Sequence, residues 1–318
     1  MADHLSPLAW TRHLTDIDNF PGYLLLGGSA VRVVVTEDAD THVELVDELG
    51  HLERSHELVG IRVDAGSCGK LHQPQSILAA IARRVDLFDV FTHVARRIWR
   101  DLGYPSTEVT IAKVAERHGL LHNELRTEFR AESRRFIGDL PGLSRDFRTA
   151  IHTVLLEVID HDHRGRAVAQ RVESYLLGTL GAKDLFELGI QRKVSKETAT
   201  PAMRNLLALL CAARPQGTLL HIDLRWATDE LLLTEGPAWR ATKTQRIAIY
   251  QWVRELIDGV DRFTSTLICV EFGPQFPNAS FSGRGWGLYD ALRLRLEDGV
   301  RPVGGPNPSA PFVPLEVR

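Results

Sequence analysis

The sequence predicts an α/β fold, a mostly parallel sheet carrying a large helical insertion. Two observations support this. Apolar, largely β-branched runs occur at Val31–Val35, Leu58–Asp64, Leu219–Asp223 and Thr266–Glu271. They lack the apolar/polar alternation of a half-exposed strand, as expected for parallel strands covered on both faces. Between the second and third runs, about 140 residues carry almost nothing but helical periodicity, too long for a single crossover between strands.

Taken in order, residues 1–30 read as a short helical lead-in that ends at the turn Gly27-Gly28. The first strand is Val31–Val35. A helix follows from about Thr41 to Ser55, with Val43, Val46 and Leu49 at helical spacing. Leu58–Asp64 is a second buried strand. Helical segments then run over Gln75–Val85, Phe88–Leu102, Leu121–Phe136, Leu143–Ile159 and Ala167–Leu180. The strand signal returns at LLHID (Leu219–Asp223) and TLICVE (Thr266–Glu271). A helix over about Lys243–Val260 lies between them, its stripe formed by Ile247, Tyr250, Val253, Leu256 and Ile257. A last apolar segment is Pro311–Glu316, and Val303–Ala310 is a loop on composition. The expected organisation is therefore a sheet domain in two parts, residues 1–72 and 214–318, around a helical insertion at 73–213.

Composition narrows the function classes. The chain has 318 residues, 44% of them hydrophobic, enough for a sizeable core. A net charge of −3 provides no global attraction to nucleic acid or to a membrane surface. Cys68, Cys211 and Cys269 are odd in number and widely spaced, matching neither a disulfide framework nor a metal site. No run approaches the roughly 18 apolar residues of a membrane span, and MADHLSPLAW lacks the basic start and apolar core of a signal peptide. A cytoplasmic protein is the expectation.

The strand–turn–helix at Val31–Leu49 is where a nucleotide-binding α/β protein keeps its phosphate loop, G-x-x-x-x-G-K-[ST]. Glycines let that loop curl its amides around the anion, the lysine adds charge and the hydroxyl holds Mg²⁺. Here the turn is Thr36, Glu37, Asp38, Ala39, Asp40 and Thr41. It contains neither Gly nor Lys, and only Thr41 can stand in for the metal-binding hydroxyl. Three carboxylates oppose a polyphosphate. Each like-charge pair at about 4 Å costs about 1 kcal/mol in water and about 4 kcal/mol at an effective dielectric of 20. The plain alternative is an ordinary β–α turn with Asp40 or Thr41 as the helix N-cap.

Several segments, in order, resemble a known family. VGIRVDAGSCGKLHQPQSILAAIARR (Val59–Arg84) contains a second strand, a Leu-His-x-Pro element (Leu71, His72, Pro74) and a helix. Ser174–Leu210 carries Leu-Gly elements followed by a helix. LLHIDL lies at the position of a Walker B strand, and VEFGPQF (Val270–Phe276), LYDALRLRL (Leu288–Leu296) and NPSAPFVPLEV (Asn307–Val317) close the pattern. Together they resemble the ATP-binding proteins of BREX-type bacterial phage-defence systems, P-loop ATPases related to the AAA proteins. In that alignment Thr41-His42 falls where a Thr-His pair follows the loop lysine, and the turn is about two residues shorter than the family's loop. The resemblance implies an AAA-like P-loop sheet. It also implies a further C-terminal region that this sequence does not carry.

The departures shape the functional expectation. Walker B supplies an Asp that helps hold Mg²⁺ and then a Glu that orients water. Asp223 is present, but Leu224 stands in the glutamate's place and can neither polarise water nor accept a proton. The expectation is a catalytically inactive pseudo-ATPase with no cofactor of its own. It would act through protein contacts in a multi-subunit complex, beside an active ATPase paralogue. ATP and Mg²⁺ would bind only if a partner completed the site around Asp223 and Thr41. A scaffold from a biosynthetic or regulatory cluster that borrowed the fold is one further possibility, and two rivals of other classes remain open. One is a weak NTPase completed in that way. The other is a DNA-binding module using the arginine clusters Arg83-Arg84, Arg96-Arg97-Arg100 and Arg126–Arg135, although the net charge does not support it. The last cluster contains Glu128 and Glu132, as a salt-bridged exposed helix does. Arg293 and Arg295 are candidates for contact with a partner's nucleotide, against a simple surface reading. Asp160-His161-Asp162-His163 reads as a solvated turn between helices or as a weak metal candidate.

Overall fold

A computed structural model describes residues 4–64, 68, 70–105, 107–228, 241–277, 285–300 and 307–316. In chain order the elements begin with α1 (Pro7–Asp16), α2 (Phe20–Leu25), β1 (Ser29–Thr36), α3 (Ala39–Ser55), β2 (Val59–Val63) and α4 (Pro74–Ala82). A helical run follows: α5 (Leu87–Asp101), α6 (Ile111–His118), α7 (His122–Asp139), α8 (Arg145–Asp160), α9 (Asp162–Leu176), α10 (Ala182–Glu187) and α11 (Lys196–Ala213). The chain then forms β3 (Thr218–Asp223), the single turn α12 (Arg225–Thr228), α13 (Lys243–Asp258), β4 (Thr266–Phe272), α14 (Asp290–Val300) and β5 (Phe312–Leu315). It divides into two compact units, Met1–Ile77 with Gln216–Arg318, and Leu78–Pro215. Among the described residues no helix is long and apolar enough to cross a membrane.

The first unit is an α/β layer structure. Its five strands lie in the order β2-β3-β4-β1-β5 and every pair is parallel. β3 and β4 are buried along their whole length, their polar His221, Asp223 and Glu271 included. The edge strands β2 and β5 are short, five and four residues, which limits the exposed pairing surface. One sheet face is covered by α1 and α3, and Trp10, Leu14, Val34, Leu45, Leu49 and Cys269 belong to a single apolar cluster there. The stripe of α3 is Leu45, Leu49 and Leu52, whereas Val43 is 56% exposed. Both sets satisfy helical spacing, and the one with more apolar area faces the sheet. On α13, Tyr250, Val253 and Leu256 are buried as expected. Ile249 and Trp252 join them, while Ile247 and Ile257 are half-buried.

The second unit is all helical in its described residues. α5 presents Leu87, Val90, Phe91, Val94, Ala95, Ile98 and Trp99 as one continuous stripe. It packs against α7, α8, α9 and α11. Trp99 lies 4.6 Å from the Phe129 ring and donates its indole N–H to Val109 O at 2.8 Å. Asp160-His161-Asp162-His163 is not a loop. Asp160 ends α8, His161 alone links it to α9, and Asp162 starts α9. Arg126 pairs with Asp160.

Candidate functional site

The site grows from the pleat of the three central strands. Side chains two apart on a strand share a face, and registered partners on neighbouring strands share it too. Val34 is registered with Glu271, and Asp223 with Glu271. Thr36, His221, Asp223 and Glu271 therefore converge near the C-terminal ends of β1, β3 and β4, on the face that α3 covers. In an open α/β sheet this is the rim where ligands bind.

Glu271 is the centre and has no solvent exposure. Its Oε1 accepts from the Thr36 hydroxyl at 2.7 Å, and its Oε2 meets His221 Nε2 at 2.9 Å. His42 Nδ1, from the first turn of α3, lies 2.9 and 3.0 Å from the two carboxylate oxygens. Burial raises the Glu271 pKa, but hydrogen bonds from His221 and His42 and their charges outweigh it, so the group is held below the usual carboxylate range. An ionised carboxylate only accepts. The ring nitrogens facing it, His42 Nδ1 and His221 Nε2, therefore act as donors.

A guanidinium completes the cluster. Arg225, 7% exposed, begins α12 two residues after Asp223 ends β3. Its Nε and Nη2 grip Asp223 Oδ1 and Oδ2 at 3.1 and 2.9 Å, and its backbone N–H reaches Oδ1 at 3.0 Å. The same Nε lies 3.3 Å from Glu271 Oε1. A buried carboxylate pair without a cation would be prohibitively costly, and the bidentate fork supplies the charge in the geometry carboxylates prefer. His42, Asp223 and Glu271 offer ligand atoms within 4.8 Å of one another, so the same group has the donor set of a metal site. Arg225 already supplies the positive charge that an ion would bring.

The turn before α3 is closed from within. Only Glu37 and Asp38 separate the end of β1 from the start of α3. Asp38, not Asp40 or Thr41, is the N-cap: its Oδ1 accepts from the Thr41 amide and the Thr41 hydroxyl, both at 2.7 Å. Those two bonds, the hydroxyl first, hold the Asp38 pKa below its ordinary value. Asp38 has the extended backbone an N-cap needs, whereas Asp40 and Thr41 are already helical. Glu37 lies beside His4 (3.8 Å), and burial raises its pKa, with the charges of Glu316 and Asp38 adding to the rise. Ala39 and Asp40 form the first turn.

Leu224, which the resemblance aligns with a Walker B glutamate, is wholly buried as a core residue, and its backbone N–H donates to Glu271 O at 2.8 Å. Arg293 pairs with Asp290 and Glu297 on its own helix, and Arg295 with Asp258 at 2.8 Å. In the second unit Arg97 donates to Ala212 O and lies over Phe136, and Arg135 pairs with Glu132. The sequence singles out Asp223 but not Glu271, His221 or Arg225, and His42 only as part of the Thr-His pair. The available signal was the strand TLICVEF: an acid inside a fully apolar central strand must be answered by donors. No protein-family model, curated protein or solved structure matches this chain.

Proposed function

We propose that this chain is a catalytically inactive, AAA-like pseudo-ATPase that serves as a structural or regulatory subunit of a bacterial anti-phage defence or DNA-processing complex. The resemblance at Val31–Leu49, Val59–Arg84, Ser174–Leu210 and Leu219–Leu224 motivates the family assignment. The all-parallel sheet, with the altered loop after β1 and Asp223 ending β3, is consistent with it.

The observation that carries the inactivity is that the chain's own side chains occupy both ligand positions. A nucleotide needs helix N-terminal amides for its phosphates and a carboxylate-held cation beside them. Here the Asp38 carboxylate takes the Thr41 amide and hydroxyl. The Arg225 guanidinium takes Asp223, the residue that would help hold Mg²⁺. A triphosphate would have to displace an internal anion and the metal an internal cation, from a linker of two residues too short to wrap it.

Titration calorimetry with Mg-ATP, combined with a phosphate-release assay, tests this directly. No heat at millimolar nucleotide and no turnover are expected. Micromolar binding with turnover would overturn the proposal. The scaffold role is tested by recovering the native complex: the chain should co-purify stoichiometrically with an ATP-hydrolysing subunit, and a chain recovered only by itself counts against that role.

A further inference from the structure

A second feature lies at the opposite end of β1. A cavity of about 410 Å³ opens there, lined by Phe20, Tyr23, Ile257 and Val260, with Asp18 at its edge and Arg32 in its wall. That volume is within the range of small-ligand pockets.

Arg32 is mostly buried and poorly answered. Its hydrogen bond to Val31 O is long, 3.4 Å from Nη1, and Nε is buried with no acceptor among the described residues. Asp18 influences it only as a nearby charge. That carboxylate is engaged by the Ser309 hydroxyl at 2.9 Å and lies 3.4 Å from His13 Nε2. Burial accordingly pulls the Arg32 pKa down, with Asp18 and Tyr23 only partly opposing it. A largely buried guanidinium whose Nε finds no acceptor among the described residues has given up part of its hydration without replacement, which is costly.

The sheet edge adds a second donor. Pairing of β1 with β5 begins at Val33, whose N–H reaches Pro311 O at 2.7 Å. Alternate residues of a strand point their amides to the same neighbour. Val31 therefore points its N–H to the same edge, before the β5 ladder starts and beside the cavity.

We propose that this cavity binds a small carboxylic acid, its carboxylate on the Arg32 guanidinium and the Val31 amide, its apolar body against Phe20, Tyr23, Ile257 and Val260. A guanidinium fork matches a carboxylate in two parallel bonds. The Asp18 charge at the rim disfavours a dianion such as phosphate. The inference does not depend on the pseudo-ATPase reading, because it uses the other rim of the sheet and none of the same side chains.

The test uses the full chain in calorimetry and thermal-shift titrations with benzoate, 4-phenylbutyrate and octanoate. The neutral amide 4-phenylbutanamide and inorganic phosphate are the controls. At least one acid should bind with a Kd below about 1 mM, with the amide and phosphate at least about tenfold weaker. Arg32→Gln should weaken the acid by about tenfold or more while the protein remains folded, since no carboxylate loses its partner. Val260→Trp, which fills the cavity and leaves Arg32 intact, should abolish binding. The proposal is overturned if no acid binds with a Kd below about 1 mM, if the amide binds as well as the acid, or if either variant binds unchanged.

Discussion

The two rims of the sheet treat buried charge in opposite ways. At the C-terminal rim, two buried carboxylates, Asp223 and Glu271, meet Arg225, two imidazoles and the Thr36 hydroxyl, and each carboxylate is answered within the fold. At the N-terminal rim, Arg32 keeps an Nε with no acceptor among the described residues, beside a cavity. Ligand sites in parallel sheets usually lie at the first rim. The contrast teaches that position alone does not make a site. A polar cluster that satisfies itself has no energetic need of a ligand, whereas one that does not has gained nothing for its desolvation until something binds.

The sharpest way to break this comparison is to remove the internal cation. Arg225→Ala leaves Asp223 and Glu271 as neighbouring buried carboxylates, with a loss of about 3–5 kcal/mol in unfolding free energy by urea denaturation. The same variant should become responsive to divalent metal. With the guanidinium gone, His42, Asp223 and Glu271 present three ligands, and Mn²⁺ at 100 times its Kd should restore about 2.7 kcal/mol. Wild-type protein should show no such rescue. Equal stabilisation of both by Mn²⁺ would mean that Arg225 is not standing in for an ion.

A smaller effect separates the cluster by pH. The folded pKa of Glu271 lies below its unfolded value of 4.5, so in that window the unfolded chain binds more protons than the folded one. Its stabilising contribution is complete above about pH 4.5 and is lost as pH falls toward the folded value. Glu271→Gln removes that titration and leaves an amide among donors, costing about 1–3 kcal/mol at neutral pH and flattening the acid limb of the stability profile. Unfolding midpoints of the two proteins measured from pH 3 to 7 compare the slopes. Parallel profiles would show that the acid sensitivity arises elsewhere.

Much of this architecture was legible before any coordinates, and for a physical reason. Runs such as VRVVV, LLHID and TLICV have the composition only doubly covered strands use, and they form β1, β3 and β4. The site was legible only in part. Asp223 is picked out only by the resemblance that puts LLHIDL at a Walker B strand, and Glu271 reads as one letter inside a strand. Its meaning depends on His42, His221 and Thr36, which reach it from sequence distances of 229, 50 and 235 residues. Arg225 lay beyond reach because its role depends on a turn that folds it back two residues onto Asp223. On α3, Val43–Val46–Leu49 and Leu45–Leu49–Leu52 obey the same period, so periodicity alone does not separate them; the larger apolar area of the leucine set does.

The mildest perturbation tests the claim that Asp38 occupies the place a phosphate would take. Asp38→Ala removes the side-chain acceptor from the Thr41 amide and hydroxyl and should cost about 1 kcal/mol, the usual loss of an N-cap. Thermal unfolding measures that loss. The same variant leaves the first-turn amides of α3 uncapped and removes one negative charge from the turn, so sulfate, a small tetrahedral dianion, should recover part of the lost stability at low ionic strength. Recovery by sulfate but not by chloride of equal ionic strength would identify the helix terminus as an anion site that its own carboxylate normally fills. If sulfate gives no recovery, the start of α3 is not an anion site and the Asp38 carboxylate acts there only as a helix cap.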